Sequence, residues 1–151
     1  MKKIIILVLS LFFAFCLSSC KKVEDELIAD GEYIGSNVYQ SPIISSMVSS
    51  IHFKIENNQL LISDHRYELE EFTLHENFFD RLLLEEDNTL KDEFLFPSMA
   101  LHCIISNNDG LINEYCILVS KTKECYIFFN THNQEDEYNI LKAYKLEKDE
   151  L

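Results

Sequence analysis

Ser50-Ile51-His52-Phe53-Lys54-Ile55-Glu56, then Asn57-Asn58, then Gln59-Leu60-Leu61-Ile62-Ser63, is the stretch that decides the fold. Ile51, Phe53 and Ile55 fall on one side of an extended chain, and His52, Lys54 and Glu56 on the other. That alternation has the period of a half-buried strand. Asn57-Asn58 reads as a turn, and Gln59 to Ser63 as the return strand of a hairpin.

The same reading extends in both directions. Glu32 to Tyr39 reads as a strand with a bend or bulge at Gly35, broken by Ser41-Pro42. Arg66 to Leu74 starts in phase at Tyr67 and Leu69, slips by one at Glu70-Glu71, and resumes at Phe72 and Leu74. Such a slip flips the faces, so a bulge or turn is expected there. Phe78, Phe79, Leu82 and Leu83 fit helical and strand spacing equally well. Glu85 to Asn88 reads as a polar turn, and Glu93 to Phe96 as a short strand ended by Pro97.

The last third is the most regular. Leu101, Cys103 and Ile105 alternate with His102, Ile104 and Ser106, and Asn107-Asn108-Asp109-Gly110 is a turn signal. Tyr115 to Ser120 and Glu124 to Asn130 form a hairpin across Lys121-Thr122-Lys123. Both strands are almost wholly apolar, so both faces are covered or line a cavity. After a polar loop, Tyr138, Ile140, Lys142, Tyr144 and Leu146 share one parity and give a closing strand. The expectation is an all-β domain: an antiparallel meander of about eight to ten strands closing into a small barrel, with a two-sheet sandwich as the alternative way to hide the edges.

Ahead of this domain, Met1-Lys2-Lys3 gives a basic start and Ile4 to Leu17 an apolar run interrupted by Ser10. The run is shorter than the roughly 20 residues of a spanning helix. It has the form of a secretory signal. Small residues Ser18 and Ser19 precede Cys20. Residues 1–19 therefore read as a signal peptide, 20–30 as a short tether, and 31–151 as one β domain. An ordinary signal cut nearby, with Cys20 a plain cysteine, is the alternative. A further alternative comes from Lys148-Asp149-Glu150-Leu151, which matches a retrieval signal for the endoplasmic reticulum.

The chain carries 13 basic and 26 acidic residues, and loss of Lys2 and Lys3 with the signal lowers the basic count to 11. So negative a domain repels nucleic acid and anionic lipid and can steer a cationic partner. Cys16 leaves with the signal. Cys103, Cys116 and Cys125 then remain, either with one disulfide among them or as buried free thiols.

Three glycines leave no material for a phosphate loop, and neither Gly-x-Ser-x-Gly, His-Glu-x-x-His nor Cys-x-x-Cys occurs. His52, His65, His75, His102 and His132 lack ligand spacing, and His52 and His102 are expected to face solvent. The acidic clusters are Glu70-Glu71, Glu85-Glu86-Asp87 and Glu135-Asp136-Glu137. Paired carboxylates flanking a cleft can cleave a glycosidic bond, but sequence does not give their separation. No catalytic, cofactor or metal residue is assigned, and no enzyme activity is expected.

Leu17-Ser18-Ser19-Cys20 resembles the lipobox of bacterial lipoproteins. Gly31-Glu32-Tyr33-Ile34-Gly35 and Tyr138-Asn139-Ile140-Leu141-Lys142 are similar to the first and last strands of small bacterial lipoproteins with a lipocalin-like (calycin-like) β domain. That resemblance implies acylation at Cys20 and a lipid-anchored place in the bacterial cell envelope, on the outer membrane, facing either the periplasm or the surface. The anchor, the β domain, the negative charge and the missing catalytic motifs together point to a non-catalytic β-barrel binding or inhibitory domain, with a cationic protein as the expected partner. A carrier of a small hydrophobic ligand in the barrel interior is the alternative. Neither nucleic acid nor a cofactor is expected.

Overall fold

A computed structural model describes residues 28–45, 49–81 and 89–150. The signal segment, Cys20 and most of the tether lie outside the described residues, as do Leu82, Leu83, Glu85-Glu86-Asp87 and Leu151.

The described residues form nine strands in one antiparallel sheet: β1 (Gly31–Gln40), β2 (Ser50–Glu56), β3 (Gln59–Ile62), β4 (His65–Glu68), β5 (Glu70–Leu74), β6 (Ser98–Asn108), β7 (Leu111–Val119), β8 (Cys125–His132) and β9 (Tyr138–Lys148). The neighbour order is β4-β3-β2-β1-β9-β8-β7-β6-β5. The protein is thus an all-β meander curled into a nearly closed barrel. Its one unsealed seam lies between the two ends of that order.

Those two ends are halves of one bent strand. β4 pairs with β3, Leu69 intervenes, and β5 pairs with β6 on the opposite edge. The phase slip in the sequence is this bend. Tyr67 and Leu69 pack on one side of the sheet, Phe72 and Leu74 on the other. A single irregular residue flips the faces and carries the chain from one barrel edge to the other.

The β2–β3 hairpin forms as its alternation implies, with Glu56 paired to Gln59. Asn57 and Asn58 hold the turn at φ 52° and 61°. Two successive left-handed residues match the twist of the flanking strands, and Asn tolerates that conformation. Gly35 lies where neighbouring side chains crowd the backbone of β1. A Cβ there would stand 2.7 Å from Ile51 Cγ2 and 2.9 Å from Tyr144 Cβ.

The inner face of the barrel is filled. Tyr33, Phe53, Ile55, Leu60, Leu69, Leu101, Ile117, Ile127 and Tyr144 belong to one buried cluster. A second cluster lies on the outer face of β6 to β9. It is covered by the excursion between β5 and β6, which contains two 3-10 turns, η1 (Glu76–Phe79) and η2 (Leu90–Glu93). Phe78 and Phe79 drive edge-on into Phe128, at 5.4 Å and 5.5 Å between ring centres. Phe94 packs against Tyr126 at 5.3 Å. Lys121 Nζ donates to the Asp92 carbonyl at 2.7 Å, and the Tyr126 hydroxyl donates to Glu93. Both faces of β7 and β8 are therefore covered, which is why their sequence is continuous and apolar rather than alternating.

Four local expectations change. The register shift in β1 falls between Asn37 and Tyr39 and not at Gly35, which pairs with Ile51 and Leu146. Glu93 to Phe96 is not a strand: Leu90–Glu93 is a 3-10 turn, and Phe94 follows it into the outer cluster. Its apolar residues cap the sheet instead of extending it. Ile105 leaves the phase of Leu101 and Cys103 because a bulge falls between Ile104 and Ser106. Tyr138 and Ile140 do not share a face with Tyr144 and Leu146, because the β8–β9 register shifts between them.

Candidate functional site

β7 reads Leu111-Ile112-Asn113-Glu114-Tyr115-Cys116-Ile117-Leu118-Val119, so Glu114 places a carboxyl in an apolar strand. Alternation puts it on the outer face with Cys116 and Leu118, beneath side chains from β5, η1 and the neighbouring strands. It is 1 % exposed.

The register surrounds it with donors. His102 stands opposite Cys116 on β6, and its Nδ1 lies 2.9 Å from Glu114 Oε2. Asn130 stands opposite Glu114 on β8, and its amide donates to Oε1 at 2.9 Å. The Cys116 thiol donates to the same Oε1 at 3.3 Å. His132 Nε2 lies 3.5 Å from Oε1. Burial alone would push the Glu114 pKa up, but the His102 and Asn130 hydrogen bonds, with help from His132 and Cys116, outweigh it and hold the carboxyl below its usual range. The group is an ionised buried carboxylate.

Each imidazole also faces a second carboxylate. His102 Nε2 is 4.0 Å from Glu70 Oε2, and His132 Nδ1 is 3.9 Å from Asp136 Oδ1. Five side chains, four from the strands β5 to β8 and one from the β8–β9 loop, thus alternate acid and imidazole: Glu70, His102, Glu114, His132, Asp136. Two aromatic rings buttress the array, Phe72 against His102 at 4.3 Å and Tyr138 against His132 at 4.9 Å.

Asp136 reaches the site through a loop that Asn133 organises. The Asn133 side-chain oxygen accepts the backbone N–H groups of Glu135 and Glu137 at 2.9 Å and 3.1 Å. Arg81 donates to Asn139 at 2.9 Å and pairs with Glu137 at 3.2 Å. Asn77 donates to the Asp136 carbonyl at 3.4 Å.

Of these groups His102, Glu114, His132 and Asp136 border a pocket of about 260 Å³, open to solvent. β5 and the residue after it supply Phe72, Thr73, Leu74 and His75, and η1 supplies Asn77. The sheet supplies His102, Glu114, His132 and Tyr138, and the last loop supplies Asp136. Among the described residues, no Lys or Arg lines it. Burial, then Asp136 and Glu114, push the Tyr138 hydroxyl up, as a negative field requires.

His102 does not face open solvent as expected. Its side chain is 21 % exposed and points into this pocket. His52 is exposed, as its alternation implies. Three of the five histidines, distant in sequence, meet at the pocket, yet among the described residues no group of three or more His, Cys, Asp or Glu is arranged to hold a metal. Glu70 and Asp136 come from two of the acidic clusters. Glu114 was not singled out in the sequence. The signal for it was a lone charge inside a strand apolar on both sides, with Asn130 opposite in another such strand.

Cys103, Cys116 and Cys125 are free thiols. Cys116 packs in the outer cluster, while Cys103 and Cys125 pack with the inner one. Burial pushes the Cys103 thiol up to about 12 and the Cys116 and Cys125 thiols above their ordinary value.

No family model, no curated protein and no solved structure matches the chain. What the fold and site define is a class: a nearly closed antiparallel β-barrel with a filled interior and an acid–imidazole pocket on its outer face.

Proposed function

We propose that this chain is a lipid-anchored lipoprotein of the bacterial cell envelope, whose barrel domain binds or inhibits a cationic partner without catalysing a reaction. The observation that carries the binding part is the pocket around Glu114: a buried ionised carboxylate, a second carboxylate on Asp136 and two aromatic walls, with no Lys or Arg among the described lining residues. The anchor rests on Leu17-Ser18-Ser19-Cys20. The alternative, a carrier with a hydrophobic molecule inside the barrel, has less support, because aromatic and aliphatic side chains already occupy the interior.

Two measurements test this reading. Metabolic labelling with a palmitate analogue should mark the wild type and not Cys20→Ala; a mature wild-type chain without label overturns the anchor. The immobilised full chain should retain cationic secreted proteins above an acidic control of matched charge; retention equal to the control overturns the partner. A lipid found in the barrel by native mass spectrometry would favour the carrier instead.

A further inference from the structure

We propose that the Glu114 pocket is a subsite for an alkylammonium group, the end of a lysine side chain or of a free primary amine. This rests on the binding reading above and adds the chemical class and the residues that select it.

Glu70, Glu114 and Asp136 outnumber His102 and His132, the two imidazoles they face, and equal the imidazoles in number once His75, which also lines the pocket, is counted. Among the described residues, Glu114 has only His102 and His132 as ion-pair partners. A carboxylate held ionised out of water calls for a counter-charge.

Glu114 Oε1 already meets Asn130, Cys116 and His132. Oε2 meets only His102. A carboxylate oxygen has about two acceptor directions, so one remains on Oε2. A guanidinium engages a carboxylate best with both oxygens at once, whereas an ammonium is a compact point charge that needs one. The occupied Oε1 therefore selects ammonium over guanidinium.

Phe72 and Tyr138 flank the pocket, offering apolar and π surface to the alkyl stem and to the cation. Asp136, with its side chain 69 % exposed, stands at the mouth as a second carboxylate.

The test is a titration of the full chain in non-ionic micelles with n-butylammonium, n-butylguanidinium and neutral 1-butanol, followed by amide shifts in NMR spectra. Butylammonium should shift His75, His102, His132 and Tyr138 saturably, with a Kd on the order of 1 mM. Butylguanidinium should bind several-fold more weakly, and butanol should not saturate. Asp136→Asn, exposed enough to leave folding intact, should weaken butylammonium about three- to tenfold, as loss of one rim charge implies. Glu114→Gln, if folded, should abolish saturation. A capped lysine peptide that binds as well as butylammonium assigns the site to a protein side chain; binding by the free amine alone assigns it to a small amine. Shifts that fail to saturate, equal shifts from butanol, tighter guanidinium binding, or an unchanged Kd in Asp136→Asn overturn the proposal. Palmitate labelling and retention of cationic proteins are read separately, so the subsite can fail while the anchored binding module stands.

Discussion

Asn58 holds Leu69 from both sides. Its backbone carbonyl accepts the Leu69 N–H at 2.9 Å, and its side-chain amide donates to the Leu69 carbonyl at 2.6 Å. Leu69 is the residue at which the chain leaves β3 as partner and turns to β6. The turn that makes the first hairpin therefore also satisfies the backbone of the bend that nearly closes the barrel.

Replacing Asn58 with Gly keeps a residue suited to φ 61° and removes only the amide clamp. Leaving the Leu69 carbonyl without that donor should cost about 1–2 kcal/mol in urea unfolding, and amides of β4 and β5 should exchange faster with solvent. Unchanged stability and exchange would show the clamp to be incidental.

Gly35→Ala tests how tightly β1 is enclosed. The added methyl meets Tyr144 Cβ, which cannot swing away without moving β9. Destabilisation of about 1–3 kcal/mol is expected, measured by thermal or urea denaturation. A neutral effect would mean that β1 and β9 separate freely.

Glu114→Gln removes the charge on which three strands converge. His102 and Asn130 then aim donors at a group with one acceptor oxygen fewer, and the expected cost is about 2–4 kcal/mol. The substitution should also change the acid response. The folded pKa of Glu114 lies below its unfolded value near 4.5, so its contribution is present above that value and lost as pH falls through the folded one. Melting temperatures taken from about pH 6 down to about pH 3 should fall more steeply for the wild type than for Glu114→Gln. Parallel slopes would contradict the assignment of an ionised, donor-held carboxylate.

The three thiols should be inert while the barrel is folded. With the Cys103 pKa up to about 12, roughly one part in 10⁴ is thiolate at pH 8. Peptide mapping after iodoacetamide treatment should find Cys103, Cys116 and Cys125 unmodified in the native chain and all three modified in urea. Rapid native labelling of Cys116 would place it in contact with solvent and undo the buried site.

Much of the strand inventory was legible because alternation is written residue by residue. The Ser50–Ile62 hairpin stands where Ile51, Phe53 and Ile55 put it, and the slip before Phe72 marks a real change of face. Phe94 was misleading. An apolar residue near a proline reads the same whether it extends a sheet or caps one, and only the outer cluster waiting above β8 separates the two. The parity shared by Tyr138 and Leu146 was also misleading, because a register shift between strands leaves no mark in either strand's own pattern.

By itself, then, the sequence determined that the chain is a run of antiparallel strands, where most of them begin and end, and that its surface is strongly acidic. Those properties are local or additive. The tertiary structure alone decided that the interior is filled, that the second apolar face is roofed by the Phe78–Phe79 excursion, and that Glu114 meets His102, Asn130 and His132. Who stands opposite whom is set by inter-strand register and by bulges. A displacement of one residue would send each of these side chains to the other face of the sheet.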